Sequence, residues 1–165
     1  MKTSLLMDFT VDKENSTVRV KREFSASISK VWSAWTESKI LDQWWAPKPW
    51  KSRTKTMNFT EGGFRLYAMV GPEGEEHWAR ADYKSITPKT NFKFLDAFCD
   101  DKGNVNNDFP RSDWSVDFIE SADSTTIVHV TIKNKKLSDL EKIIEMGFKE
   151  GFTMALENLD EILEA

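Results

Sequence analysis

The stretch from Asn91 to Cys99 holds the arrangement with the most chemical potential. Phe92, Phe94, Asp96 and Phe98 alternate with their neighbours, so on a strand they share one face. A carboxyl group among three phenyl rings is costly unless something pairs it. Two states follow from the residues. Asp96 could accept hydrogen bonds from a ligand, or act as a general base with a raised pKa. Alternatively it lies near the strand end in solvent, or pairs with Arg80. His77, beside Trp78, could serve as an acid or base near neutral pH, or be a partly exposed structural residue. Arg80 and Asp82 share a face with Trp78, and a cross-strand charge pair would contribute about 0.2–1 kcal/mol. Arg65, Tyr67 and Met69 share a face in another run, with the Tyr67 hydroxyl available to a cavity. Ser112, Trp114, Val116 and Phe118 form an inward face. Trp44, Trp45 and Trp50 crowd a segment stiffened by Pro47 and Pro49, and would form either a lid or a core plug.

Other chemistries lack their residues. There is no Gly-x-Ser-x-Gly elbow, no evident Cys–His pair and no phosphate-cradling glycine loop. The one cysteine, Cys99, precedes Asp100 and Asp101, which would raise its pKa rather than activate it. No metal site is expected, since His77 and His129 are far apart and His129 alternates outward against Val128, Val130 and Ile132. No cofactor is expected. A net charge of −4 disfavours nucleic acid, whose binding needs a basic stripe. No run approaches the roughly 18 apolar residues of a membrane span. The first ten residues are too short and polar for a secretory core, and a lone cysteine fits a reduced setting, so a cytoplasmic protein is expected.

The chain has 165 residues, the length of a single domain spanning 1–165. Residues 5–11 and 17–24 alternate around the turn Asp12–Ser16, which predicts a hairpin. Ile28, Val31, Trp32 and Trp35 then recur at helical spacing, with Ser27 or Ser29 as cap, and residues 37–45 predict a second short helix stopped by Pro47 and Pro49. Six strands follow over 53–60, 64–70, 76–86, 91–99, 112–120 and 125–133, with turn residues between them. Ser138, with Glu141 three positions on, predicts a capping box that opens one long helix. Leu140, Ile144, Phe148, Phe152, Ala155, Leu159 and Ile162 keep one face for over twenty residues. Gly147 and Gly151 lie on the same side, where either a ring from the sheet or a ligand would approach closely.

The segments Trp32-Ser33-Ala34-Trp35-Thr36, Leu41-Asp42-Gln43-Trp44-Trp45-Ala46-Pro47, Glu61-Gly62-Gly63 and Gly71-Pro72-Glu73-Gly74-Glu75 resemble the Hsp90-ATPase-activator-homologue-like family. So does Gly147-Phe148-Lys149-Glu150-Gly151-Phe152, where the family more often has Trp at the place of Phe152. The resemblance runs from about Val18 to Leu163. It implies an α+β helix-grip fold of the START/Bet v 1-like (SRPBCC) superfamily. This is a curved antiparallel sheet of about six to eight strands around a long C-terminal helix, with two short helices after the first strands.

Such a fold implies a binding protein for a small apolar or aromatic molecule, held between sheet and helix. The expected walls are Trp44, Trp45, Tyr67, Trp78, Phe94, Phe98, Trp114, Phe148 and Phe152, with Asp96, His77 and Arg80 as polar groups. Two alternatives stand beside it: a cyclase- or aromatase-like enzyme working in the same cavity, and a co-chaperone-like interaction module. Catalytic residues are not assigned, and catalysis is the lesser expectation. Hsp90 is not expected as a partner, because the chain has no room for the co-chaperone's additional N-terminal domain. A monomer or a homodimer would fit.

Overall fold

The computed structural model describes residues 6–121 and 124–164. The hairpin forms from β1 (Met7–Asp12) and β2 (Thr17–Phe24); residue 5 of the expected first strand lies outside the described residues. The helices α1 (Ile28–Thr36) and α2 (Ser38–Trp44) follow. Then come β3 (Lys51–Met57), β4 (Phe64–Val70), β5 (Glu76–Thr87), β6 (Asn91–Phe98), β7 (Asp113–Glu120) and β8 (Thr126–Lys133). The chain closes with α3 (Leu137–Glu145) and α4 (Phe148–Glu164). All eight strands join one antiparallel sheet in the order β1-β2-β8-β7-β6-β5-β4-β3. The α1–α2 segment carries the chain from β2 to the far edge, and the meander returns until β8 pairs with β2. This is the helix-grip arrangement.

Local sequence accounts for most elements. In β8, Val128, Val130 and Ile132 are buried while the residues between them are less so, which is the two-residue period of a half-covered sheet. Ser27 caps α1, its hydroxyl accepting from the Lys30 amide at 3.4 Å. In α4, Phe152, Ala155, Leu156, Leu159 and Leu163 are buried at helical spacing. They pack with Phe24, Val31, Trp35, Val116 and Ile132 in the core. Side chains of this size stabilise by roughly 1.5–3 kcal/mol each when fully buried.

Polar contacts fix the helices on the sheet. Asn158 Nδ2 donates to the carbonyls of Trp44 and Ala46 at 3.4 and 3.1 Å, taking up acceptors that the end of α2 leaves open. Arg22, on the inner face of β2, meets Asp160 of α4 at 3.4 Å.

The C-terminal helix departs from the sequence reading. It is two helices, broken at Gly147, whose φ is +89°. Nor does Ser138 cap it: α3 starts at Leu137, two residues earlier than a Ser138 cap would set it, with Lys136 in the cap position and no side-chain cap bond. A left-handed residue disfavours any side chain with a Cβ by about 1–2 kcal/mol, so glycine marks the break. Gly151 is different. It sits inside α4, and a Cβ there would meet Pro47 Cγ at an ordinary 3.8 Å. Urea unfolding should therefore separate the two glycines. Gly147→Ala should destabilise by about 1–2 kcal/mol, whereas Gly151→Ala should stabilise by up to about 1 kcal/mol. Stabilisation by both would mean one unbroken helix.

Candidate functional site

Beneath the N-terminal half of α4 the sheet is not filled. A cavity of about 420 Å³ lies there, enclosed by β4, β5, β6, β7, α2 and the α3–α4 junction. Its cause is visible in the side-chain sizes. Ala79 and Ala81 supply the inward positions of β5 over the hollow. Around them stand large rings. Trp114 stacks on Phe94 with ring centres 5.2 Å apart, and Phe148 on Phe152 at 5.3 Å. Trp45 contacts the rings of Trp114, Tyr67 and Phe152 at 5.8, 6.4 and 6.2 Å. These rings pack on one another around the hollow.

Trp45, Tyr67, His77, Phe94, Asp96, Phe98, Trp114, Phe148 and Phe152 all line the cavity. His77 is exposed and packs on Trp50 at 5.1 Å, and Phe98 packs on Phe109 at 5.1 Å. Two expected wall residues, Trp44 and Trp78, and one expected polar group, Arg80, stand elsewhere. Trp44 is 0% exposed and is a core plug, its indole N–H donating to the Ala34 carbonyl at 2.9 Å. Trp78 and Arg80 lie on the opposite face of β5, because the inward face carries Ala79, Ala81 and Tyr83. On the outer face Trp78 lies under Arg53, 5.7 Å from its ring centre. Arg80 pairs with Asp82 at 2.6 Å along its own strand, not across strands, and also donates to the Gly103 carbonyl at 2.7 Å. Asp82 also pairs with Arg111, from the loop that precedes β7, at 2.7 Å.

Asp96 faces inward and does not pair with Arg80. One carboxyl oxygen accepts from the Ser112 amide at 2.7 Å, the other from Trp114 Nε1 at 2.8 Å. Burial among rings pushes its pKa up to about 6, against the lowering effect of those two donors and of Arg111. Burial likewise raises the Tyr67 hydroxyl, which stays a neutral phenol and accepts from Trp45 Nε1 at 3.0 Å. Burial is also the largest influence raising the Cys99 thiol, with Asp100 and Asp82 adding to it.

Sequence reasoning placed Arg65 on a face but did not foresee its burial. The side chain is 3% exposed and borders the cavity. Its Nη2 donates to Ser52 Oγ at 2.8 Å and to Asp42 at 3.3 Å, and its Nε to Thr54 Oγ1 at 3.2 Å. Its guanidinium sits 4.0 Å from the Tyr67 ring centre. Asp42, from α2, also accepts from Ser52 Oγ, Thr54 N and Thr54 Oγ1. Among the described residues there is no group of His, Cys, Asp and Glu that could hold a metal ion.

A carboxyl group whose pKa is raised by the fold binds its proton more tightly in the folded state. Its stabilising contribution is therefore complete at low pH and is lost as pH rises from about 4 to about 6. Carbon-detected NMR of Asp96 should show a midpoint near 6, and the wild type should lose stability over that window while Asp96→Asn lacks this component. A midpoint near 4 would mean that the carboxyl is solvated.

The chain is similar in sequence and structure to several bacterial proteins. It matches the family described as "Activator of Hsp90 ATPase homolog 1-like protein" over residues 25–164. A crystal structure of protein Ms6760 from Mycobacterium smegmatis is 26% identical, with TM-score 0.88 and 97% of each chain covered. A solution structure from Arthrobacter aurescens is 27% identical at TM-score 0.89, covering 95% of this chain and 91% of that one. One from Staphylococcus epidermidis is 27% identical at TM-score 0.82, covering 94% and 93%. A comparison with curated protein sequences finds no match. The aromatic motifs, the eight-stranded sheet and the family match agree: this chain belongs to the Activator of Hsp90 ATPase homolog 1-like family, within the START/Bet v 1-like superfamily.

Proposed function

We propose that this protein binds a small apolar or aromatic molecule between the sheet and α4. The observation that carries the reading is the hollow of about 420 Å³ over Ala79 and Ala81, walled by aromatic rings. Its size lies within the roughly 300–1,000 Å³ of small-molecule sites, which are mostly apolar with a few polar groups for orientation. The family and fold fit this use, because a helix that grips one end of a wide sheet leaves the other end free.

A second reading has one observation in its favour. Asp96 faces the cavity with a pKa near 6, poised to exchange a proton close to neutral pH. A cyclase- or aromatase-like enzyme would use such a group. Asp96→Asn should leave binding largely intact in a carrier and abolish turnover in an enzyme.

Native mass spectrometry on freshly purified protein, repeated after denaturation, tests the main reading. An excess mass lost on denaturation supports it. Titration with the neutral fluorophore N-phenyl-1-naphthylamine provides a second measurement. Ala79→Phe should fill the hollow, keep the fold, and weaken uptake of the probe by at least about ten-fold. A bare mass together with no probe uptake by the wild type would reject the reading.

A further inference from the structure

Several polar groups around the cavity engage one another, and those left open along one row of the sheet describe the occupant. Ser112 Oγ donates to Asn134 Oδ1 at 2.8 Å. The indole N–H groups of Trp45 and Trp114 are taken by Tyr67 and Asp96. Arg65 uses Nε and Nη2 on Thr54, Ser52 and Asp42. Along the row from Arg65 to Asp96 this leaves Arg65 Nη1 and the Tyr67 hydroxyl proton as donors, and the second lone pairs of the Asp96 oxygens as acceptors; elsewhere on the wall the Trp35 indole N–H is buried without a partner and Tyr83 adds a hydroxyl.

The sheet register places these groups at two poles. Arg65 pairs with Ala81 across β4 and β5, and Ala81 pairs with Asp96 across β5 and β6. The three therefore form one row over the inner face, with the small Ala81 between a donor pole and an acceptor pole. Two strand spacings of about 4.8 Å put the backbones of the poles about 10 Å apart. The adjoining row holds Tyr67 and Ala79, which extends the donor pole and the flat floor.

Charge decides what the donor pole accepts. Arg65 is already compensated by Asp42, and Arg111, near Asp96, gives its Nη2 to Asp82. Above about pH 6 Asp96 is itself negative. A ligand carboxylate would bring an uncompensated negative charge into an apolar cavity, which is strongly unfavourable. A neutral oxygen instead gains a charge-assisted hydrogen bond from Arg65 without that penalty.

Resting on the ligand-cavity reading above, we propose that the occupant is an uncharged, oxygenated ring molecule lying over Ala81. A carbonyl-type oxygen meets Arg65 Nη1 and the Tyr67 hydroxyl, and a hydroxyl at the other end donates to Asp96.

Three probes of one shape test it by calorimetry at pH 7.5. They are 6-hydroxy-2-acetonaphthone, the anion 6-hydroxy-2-naphthoate and the hydrocarbon 2-ethylnaphthalene. The hydroxyketone should bind at least about ten-fold more tightly than either of the others. Tyr67→Phe keeps the ring and removes the donor. Because the same hydroxyl accepts from Trp45 Nε1, the hydrocarbon is the control for any shift of the wall, and hydroxyketone affinity should fall about ten-fold more than the hydrocarbon's. A hydrocarbon that binds as tightly as the hydroxyketone overturns the polar assignment and leaves the cavity reading standing. A carboxylate that binds as tightly overturns the neutral-ligand assignment. If none of the three binds while N-phenyl-1-naphthylamine is still taken up, this proposal fails and the cavity reading stands; if that probe is not taken up either and the native mass is bare, both fail.

Discussion

A guanidinium buried to 3% exposure must have its charge answered on the spot, and the surroundings of Arg65 are built to do that. The answer comes from Asp42, a helix residue 23 positions earlier in the chain. To deliver it, α2 must lie against β3 and β4, and Ser52 and Thr54 of β3 complete the cage with their hydroxyls. Removing one partner of a buried pair typically destabilises by about 3–5 kcal/mol, because the other charge is stranded. The network therefore locks the far edge of the sheet to the helical layer. It also fixes Trp45, just past the end of α2, over Tyr67 and the cavity.

The same arrangement explains why the hollow stays open. Arg65 and Asp96 are opposite charges in one row, with only an alanine between them. Left to themselves they would draw the walls together. Each is held instead by partners on its own side: Arg65 by Asp42 and Ser52, Asp96 by the Ser112 amide and the Trp114 indole. Closing the gap would break those bonds within a low-dielectric site, where unmet polar groups are costly. The aromatic walls add to this, since stacked and edge-on ring pairs contribute about 0.5–1.5 kcal/mol beyond their burial.

Much of the fold is legible in the sequence because it is written in short periods. The alternation of Val128, Val130 and Ile132, the spacing of Val31 and Trp35 and the cap at Ser27 each report one local environment. The break at Gly147 is hidden because the apolar face runs on through it: Leu140, Ile144, Phe148 and Phe152 keep helical spacing across a residue that is not helical. A positive φ leaves no mark on periodicity beyond the glycine itself. The site is harder to read. In β5 the alternating sets are Trp78, Arg80 and Asp82, or Ala79, Ala81 and Tyr83, and a shift by one residue exchanges the faces. Large aromatics suggest a wall, but a hollow requires small residues, so the alanines mark the inside. Arg65 was placed with Tyr67 and Met69 by alternation. Its burial depends on Asp42, and no local pattern announces a partner that folding brings from another layer.

The C-terminal helix carries both demands along its length. Its second half closes on the core through Leu159 and Leu163, and on neighbouring elements through Asn158 and the Asp160–Arg22 pair. Its first turns hold stacked Phe148 and Phe152 over open space and begin at the Gly147 break. Had α3 and α4 been one straight helix, Ile143, Met146 and Phe148 could not all border the same opening, as they do. Residues three apart share a helix face and residues two apart do not. Turning the chain at Gly147 lets the two helices present their side chains to one cavity from different directions. A single left-handed glycine thus shapes this wall of the cavity, while the half of α4 that grips the core supplies the stability the hollow half does not.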